Sequence, residues 1–116
     1  MYNPDMQTVN YIGFLPEITR RILSVSDPEK IILFGSYARG DNNPDSDLDV
    51  LVVMKYVESP RAESIRLRRA LRGLLIPVDV IVVTTEQVDR YRNTVGLIYQ
   101  TALTEGKLVY ERPVAG

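Results

Sequence analysis

Apolar positions along this chain follow two periods, and the changes between them mark its elements. From Leu15, the residues Ile18, Ile22 and Leu23 recur at helical spacing, with Glu17, Arg20 and Arg21 on the polar side. Asp27-Pro28 ends that helix, while Pro4, Gly13 and Pro16 break any long helix before it. Lys30-Ile31-Ile32-Leu33-Phe34 is a short apolar run of the kind buried strands show, and it stops at Gly35-Ser36. A short helix is expected over 37–40, followed by the Asp41-Asn42-Asn43-Pro44-Asp45 loop. The Val- and Leu-rich stretch 48–54 predicts a second strand with both faces covered. Ser59-Pro60 opens a further helix, with the Ser as cap and the Pro in the first turn. That helix is expected to run to about Leu75, with Ala62, Ile65, Ala70, Leu71, Leu74 and Leu75 as its apolar stripe and Arg66, Arg68, Arg69 and Arg72 mainly off it. Pro77 breaks the pattern, 78–83 gives a third strand, and 86–105 is mostly helical up to a Gly106 cap. Residues 107–111 read as a last strand at a sheet edge. The expected fold class is α/β (α+β): a small sheet flanked by helices, with residues 1–116 as one domain.

Composition narrows the chemistry. The 116 residues contain no His, Cys or Trp, which excludes thiol catalysis, Ser-His-Asp hydrolysis, zinc sites of the usual kind and disulfides. A metal would need oxygen ligands, which favours Mg²⁺, Mn²⁺ or Ca²⁺. With 14 basic and 15 acidic residues, the net charge of -1 argues against a generic grip on nucleic acid. The basic residues are 11 Arg and 3 Lys, so the forked guanidinium is the cation available. No apolar run reaches membrane-spanning length and the N-terminus lacks a signal-peptide pattern, so a soluble cytoplasmic protein is expected, without a membrane partner.

The candidate chemistry lies between Leu33 and Val53, with one residue beyond it. Asp47 and Asp49 are two apart at a strand start and leave the same face. Asp79 holds a similar place in the third strand, so three carboxylates meet if the two strands are neighbours. Left alone they would repel one another, and one or more would be pushed toward protonation. A divalent cation removes that conflict, and three carboxylates can hold one Mg²⁺ and share a second. Gly35-Ser36, at the end of a buried strand, lets backbone amides and the Ser hydroxyl approach a phosphate closely. Arg39 could reach the same anion or pair with Asp41 or Asp45. Gly35 and Gly40 match P-loop spacing, but Asp41 stands where the Lys is required, so that reading fails.

At these residues the sequence resembles the DNA polymerase β-type nucleotidyltransferase superfamily, marked by Gly-Ser, ten residues, Asp-x-Asp and a later Asp. Gly35-Ser36 is followed by ten residues, Tyr37 to Ser46, then Asp47-Leu48-Asp49, and Asp79 fits the third position. Phe34-Gly35-Ser36-Tyr37-Ala38-Arg39-Gly40, Ser46-Asp47-Leu48-Asp49 and the ending Thr104 to Glu111 are similar to the minimal nucleotidyltransferases (MNT proteins). The resemblance implies that superfamily's fold, with a small mixed sheet. It also implies that Asp47 and Asp49 bind two Mg²⁺ ions, that Asp79 binds the catalytic one and helps activate the attacking hydroxyl, and that Gly35 and Ser36 hold the triphosphate of ATP or another NTP. Such proteins are typically encoded beside a HEPN-domain toxin and act as its antitoxin, some by transferring AMP to a toxin tyrosine. The expected function is therefore nucleotidyl transfer to a partner's hydroxyl, with homo- or hetero-oligomers possible and no direct nucleic-acid binding.

Other readings stand beside this one. The three Asp could be solvent-facing strand ends, and Gly35-Ser36 an ordinary capped turn. The arginines at 61, 66, 68, 69 and 72 could form a solvated face or a docking surface for an acidic partner. Tyr91, Tyr99 and Tyr110 suit half-buried positions. The protein could also be a non-catalytic antitoxin that blocks a HEPN ribonuclease by docking. Alternatively, it could transfer to an aminoglycoside or an RNA end, which would require an acceptor domain from a partner or a second copy, because little chain follows Glu111.

Overall fold

The Val- and Leu-rich stretch expected to be covered on both faces is the inner strand that joins the sheet's parallel and antiparallel parts. In a computed structural model, which describes residues 11–91 and 105–114, a 3₁₀ turn at Tyr11–Phe14 leads into α1 (Leu15–Val25). Then come β1 (Lys30–Phe34), α2 (Ser36–Arg39), β2 (Leu48–Met54), α3 (Pro60–Ala70), β3 (Val78–Thr84), α4 (Thr85–Tyr91) and β4 (Lys107–Glu111). The sheet order is β3-β2-β1-β4, with β2 parallel to β3 and β1 antiparallel to both β2 and β4. This is the expected mixed sheet, with β4 at an edge. The helix expected over 86–105 is described only as far as Tyr91, and the rest of that expectation, with Tyr99, lies outside the described residues.

Strand alternation divides the core in two. Ile31, Leu33, Val50, Val52, Val80 and Val82 face the side covered by α1, α2 and α3, where Ile18, Ile22, Tyr37 and Leu67 close the cluster. Ile32, Phe34, Leu51, Val53 and Val83 face the other side, against Val88 of α4. Tyr110 is half-buried at the margin of the first cluster, as its amphipathic ring suggests. None of the described helices is long and apolar enough to cross a membrane.

Helix α3 departs from expectation in phase and in length. Its inward residues are Leu67 and Leu71, with Ser64 and Leu74 partly buried, whereas Ala62 and Ile65 of the expected stripe are exposed. The helix stops at Ala70 because the chain then unwinds through Gly73 (φ 93) and Leu75 (φ 57). Arg21 closes the end from α1: its guanidinium donates to Arg72 O at 2.9 Å and to Ala70 O at 3.4 Å. Glu17 aligns that arginine, and its carboxyl is lowered to about 2 by hydrogen bonds from Arg20 and then Arg21. Leu75 therefore leaves the core and is 96% exposed. Leu67→Ala should lower the urea-unfolding free energy by about 2–5 kcal/mol, whereas Leu75→Ala should stay within about 0.5 kcal/mol. Equal effects would contradict this phase of α3.

Candidate active site

Strand pairing places Asp49 at a junction. Its Cα partner across β1 is Phe34, and its partner across β3 is Asp79. Both acids therefore stand at the same level of adjacent parallel strands and on the same face. Asp47 shares their alternation one residue before β2 and is exposed, while the intervening Leu48 is fully buried. Leu48 N–H donates to Pro77 O at 2.9 Å, which ties the start of β2 to the start of β3. The loop before Asp47 is held by its own polar groups: Asn43 Oδ1 accepts from Asp45 N–H at 2.8 Å, and Ser46 Oγ from Asn43 N–H at 2.9 Å.

Gly35 makes the second contact at this junction. Its backbone (φ 75, ψ -157) lies in a region essentially reserved for glycine. A Cβ at this position would collide with Asp49 Oδ2. The chain thus lays a bare backbone against the Asp49 carboxylate and turns at once into α2. In that single turn Tyr37 and Ala38 are buried, while Ser36 is half-buried and Arg39 exposed. Gly40, in the left-handed region, ends the turn with its N–H donating to Ser36 O at 2.9 Å.

Asp49 has no hydrogen-bond or ion-pair partner among the described residues. Burial raises its carboxyl above the ordinary value, followed by the charges of Asp79 and Asp47, against a smaller opposing effect of Arg39. Arg39 is held elsewhere, by Asp41 Oδ2 at 3.1 Å and Glu105 Oε2 at 3.4 Å. Of the two roles open to it in the sequence, the structure displays the structural pair. Asp79 has a cationic neighbour on the arginine-rich helix, whose residues the sequence left open as a solvated face or a docking surface: Arg68 Nη2 lies 3.5 Å from Asp79 Oδ1 and 3.4 Å from Val80 O. Phasing α3 on Leu67 and Leu71 would have turned Arg68 toward the edge of β3.

Among the described residues, no three acidic side chains are gathered tightly enough to enclose a metal ion. Asp49 and Asp79 are nevertheless matched in register, Asp47 is within electrostatic reach, and the donors are all carboxylate oxygen. A half-buried, unpartnered carboxylate repelled by two others is chemically suited to Mg²⁺ or Mn²⁺.

A model of the nucleotidyltransferase domain matches residues 15–109, most of the chain. The chain belongs to the nucleotidyltransferase domain family. This nucleotidyltransferase is 59% identical over 27 residues to a Methanocaldococcus jannaschii protein named "Putative protein adenylyltransferase MJ0141", a match covering 23% of this chain and 27% of that protein. Its fold resembles the crystal structure of a "putative nucleotidyltransferase from Sulfolobus solfataricus", at TM-score 0.61 and 29% identity over 87% of this chain and 83% of the other. It also resembles, in fold alone, a chain from the complex of tri-AMPylated Shewanella oneidensis HEPN toxin with MNT antitoxin, at TM-score 0.58 and 19% identity over 84% and 70% of the two chains.

The two glycines of this nucleotidyltransferase differ in what a methyl group would meet. Gly35→Ala should cost about 3 kcal/mol, the upper end for backbone strain at a site, because Asp49 is also in the way. Gly40→Ala meets open space and should cost about 1–2 kcal/mol for its left-handed backbone alone. Chemical denaturation of both variants checks the order, and a cost at Gly40 equal to or above that at Gly35 would refute the packing of Gly35 on Asp49.

Proposed function

We propose that this nucleotidyltransferase transfers AMP from ATP to a hydroxyl of a partner protein, a tyrosine of a HEPN toxin, and thereby acts as its antitoxin in the cytoplasm. The observation that carries the reading is the half-buried Asp49 carboxylate, which lies against Gly35 and opposite Asp79 with no protein partner among the described residues. The M. jannaschii relative, named as a protein adenylyltransferase, and the MNT–HEPN fold neighbour favour a protein acceptor.

In this reading Asp47, Asp49 and Asp79 hold two Mg²⁺ ions, with Mn²⁺ able to substitute. The ions supply charge neutralisation of the triphosphate and of the transition state. Gly35 permits close approach of the triphosphate, and Ser36 Oγ donates to it. Arg39 can join them if it leaves Asp41 and Glu105. The acceptor oxygen attacks the α-phosphorus, the bond to pyrophosphate breaks, and the hydroxyl proton passes to the Asp79 carboxylate. Most of the rate gain comes from positioning and fixed electrostatics. Arg68, 3.5 Å from Asp79 Oδ1, is placed to orient that carboxylate.

Asp47→Ala and Asp79→Ala should each lower transfer of labelled AMP to the cognate partner by about 10²–10³-fold, the scale expected when groups that stabilise transition-state charge are lost. Both variants should still bind the partner. Full transfer by both would overturn the reading. An Asp47→Ala protein that neutralises the toxin without transferring AMP would show that docking suffices.

A further inference from the structure

The arginines among the described residues fall into two groups. Arg20, Arg21, Arg39, Arg68, Arg90 and Arg112 each pair with an acid. Arg61, Arg66, Arg69 and Arg72 are exposed and have no acidic partner among the described residues, and all four lie on α3 or the turn that follows it. Such a concentration of unpaired cations on one helix, in a chain of net charge -1, gives α3 a local positive field suited to anions. On the α3 helix, 61, 65 and 68 follow the four-three spacing that makes one row. That row borders an open groove of about 530 Å³, between α3 and the outer edge of β3, lined by Arg61, Ile65, Arg68, Val80 and Val82 among others. Arg66 faces a separate cleft with Val57 and Ala62.

The groove joins the candidate active site at one end. Ser64 Oγ and Arg68 Nη2 both donate to Val80 O at 3.4 Å, and Arg68 also reaches round the strand edge to Asp79 Oδ1. Arg68 therefore stands where groove and carboxylates meet, with Arg61 about two helical turns away. At Val80 the edge of β3 is capped by these side chains, and no further strand pairs with it among the described residues.

We propose that this groove seats an extended acidic segment of the acceptor protein, which runs past Arg61 and Ile65 toward Arg68 and delivers its hydroxyl round the edge of β3 to Asp79. The inference rests on the transferase reading and adds to it the chemical class of the acceptor. Guanidinium groups pair in two-pronged fashion with carboxylates, Ile65 and Val82 offer apolar contact between them, and a strand edge accepts polypeptide backbone. A nucleic-acid strand would use the arginines and leave the apolar floor and the strand edge unmatched.

The test uses the full chain and a fluorescein-labelled random Glu/Tyr copolymer, followed by anisotropy at low salt. A single-stranded RNA oligonucleotide serves as the rival probe. Arg61→Glu should weaken copolymer binding by about tenfold, as expected when one attractive contact becomes a like-charge one. Arg66→Glu carries the same charge change on another side of the helix and should leave affinity within about twofold. ATP binding should be unchanged in both. Equal copolymer affinity in wild type and Arg61→Glu would overturn the inference, as would RNA binding that exceeds copolymer binding and is lost in Arg61→Glu. AMP transfer to the cognate partner separates the two readings. Groove-dependent copolymer binding by a chain that never transfers AMP would remove the transferase reading and leave the groove. Transfer at the wild-type rate by Arg61→Glu would do the reverse.

Discussion

Pairing of β2 on both sides is the constraint from which the site follows. An inner strand covered on both faces offers no easy place for a carboxylate, yet Asp49 lies within it, directly between Phe34 and Asp79. Its side chain leaves toward the face and end where β1 gives way to the Gly35 turn, and only a glycine leaves room for it there. Asp79 is set opposite by the parallel register, and Asp47 by the residue it precedes, Leu48, whose burial and bond to Pro77 O fix the start of β2. Three acids are thus brought to one end of the sheet by hydrophobic packing and ladder hydrogen bonds, with no bond between them. Functional sites often retain such unfavourable local arrangements because the surrounding fold overrides them.

The charged residues around this frame divide into fasteners and free groups. Arg21 closes the end of α3 and is aligned by Glu17. Arg112 binds Asp27 and Glu29, so the segment after β4 is fixed to the turn before β1. Arg39 ties the loop after α2 to Glu105, just before β4. Each of these is a short-range contact at the surface, worth little singly, and their common effect is to fix loop geometry around the sheet. Arg68 belongs to both groups, since it pairs with Asp79 and touches the strand edge. The remaining α3 arginines fasten nothing among the described residues.

Much of this was legible in the residues. The runs at Ile31–Phe34 and Leu48–Met54 were apolar enough to identify buried strands, and Ser59-Pro60 marked a helix start where Ser59 Oγ accepts from Ala62 N–H at 3.1 Å. The spacing of Gly35-Ser36, Asp47 and Asp49 with the later Asp79 pointed to one site, and the parallel register of β2 and β3 sets Asp49 opposite Asp79. What could not be read was the phase of α3. Its apolar residues at 62, 65, 67, 70, 71, 74 and 75 nearly encircle a helix, so pattern alone left the inward side undecided until packing selected Leu67 and Leu71. Arg68 was missed for that reason. The strand order was also beyond local pattern, because it depends on pairings between residues far apart in the chain.

Asp49 is held in an unfavourable setting, and the proposed function assigns that setting to a cation and nucleotide. Burial and the charges of Asp79 and Asp47 raise its carboxyl, so its ionised form costs the folded chain stability as pH rises above the ordinary value of 3.8. Asp49→Asn keeps the shape and removes the charge. The most direct measurement is therefore thermal unfolding of wild type and Asp49→Asn at neutral pH, first in EDTA and then with Mn²⁺ and ATP. Asp49→Asn should have the higher Tm in EDTA, and Mn²⁺ with ATP should raise the Tm of wild type alone. A lower Tm for Asp49→Asn in EDTA, together with an undiminished Mn²⁺–ATP shift, would contradict that assignment, because Asp49 would then be a structural residue with no part in holding the ligand.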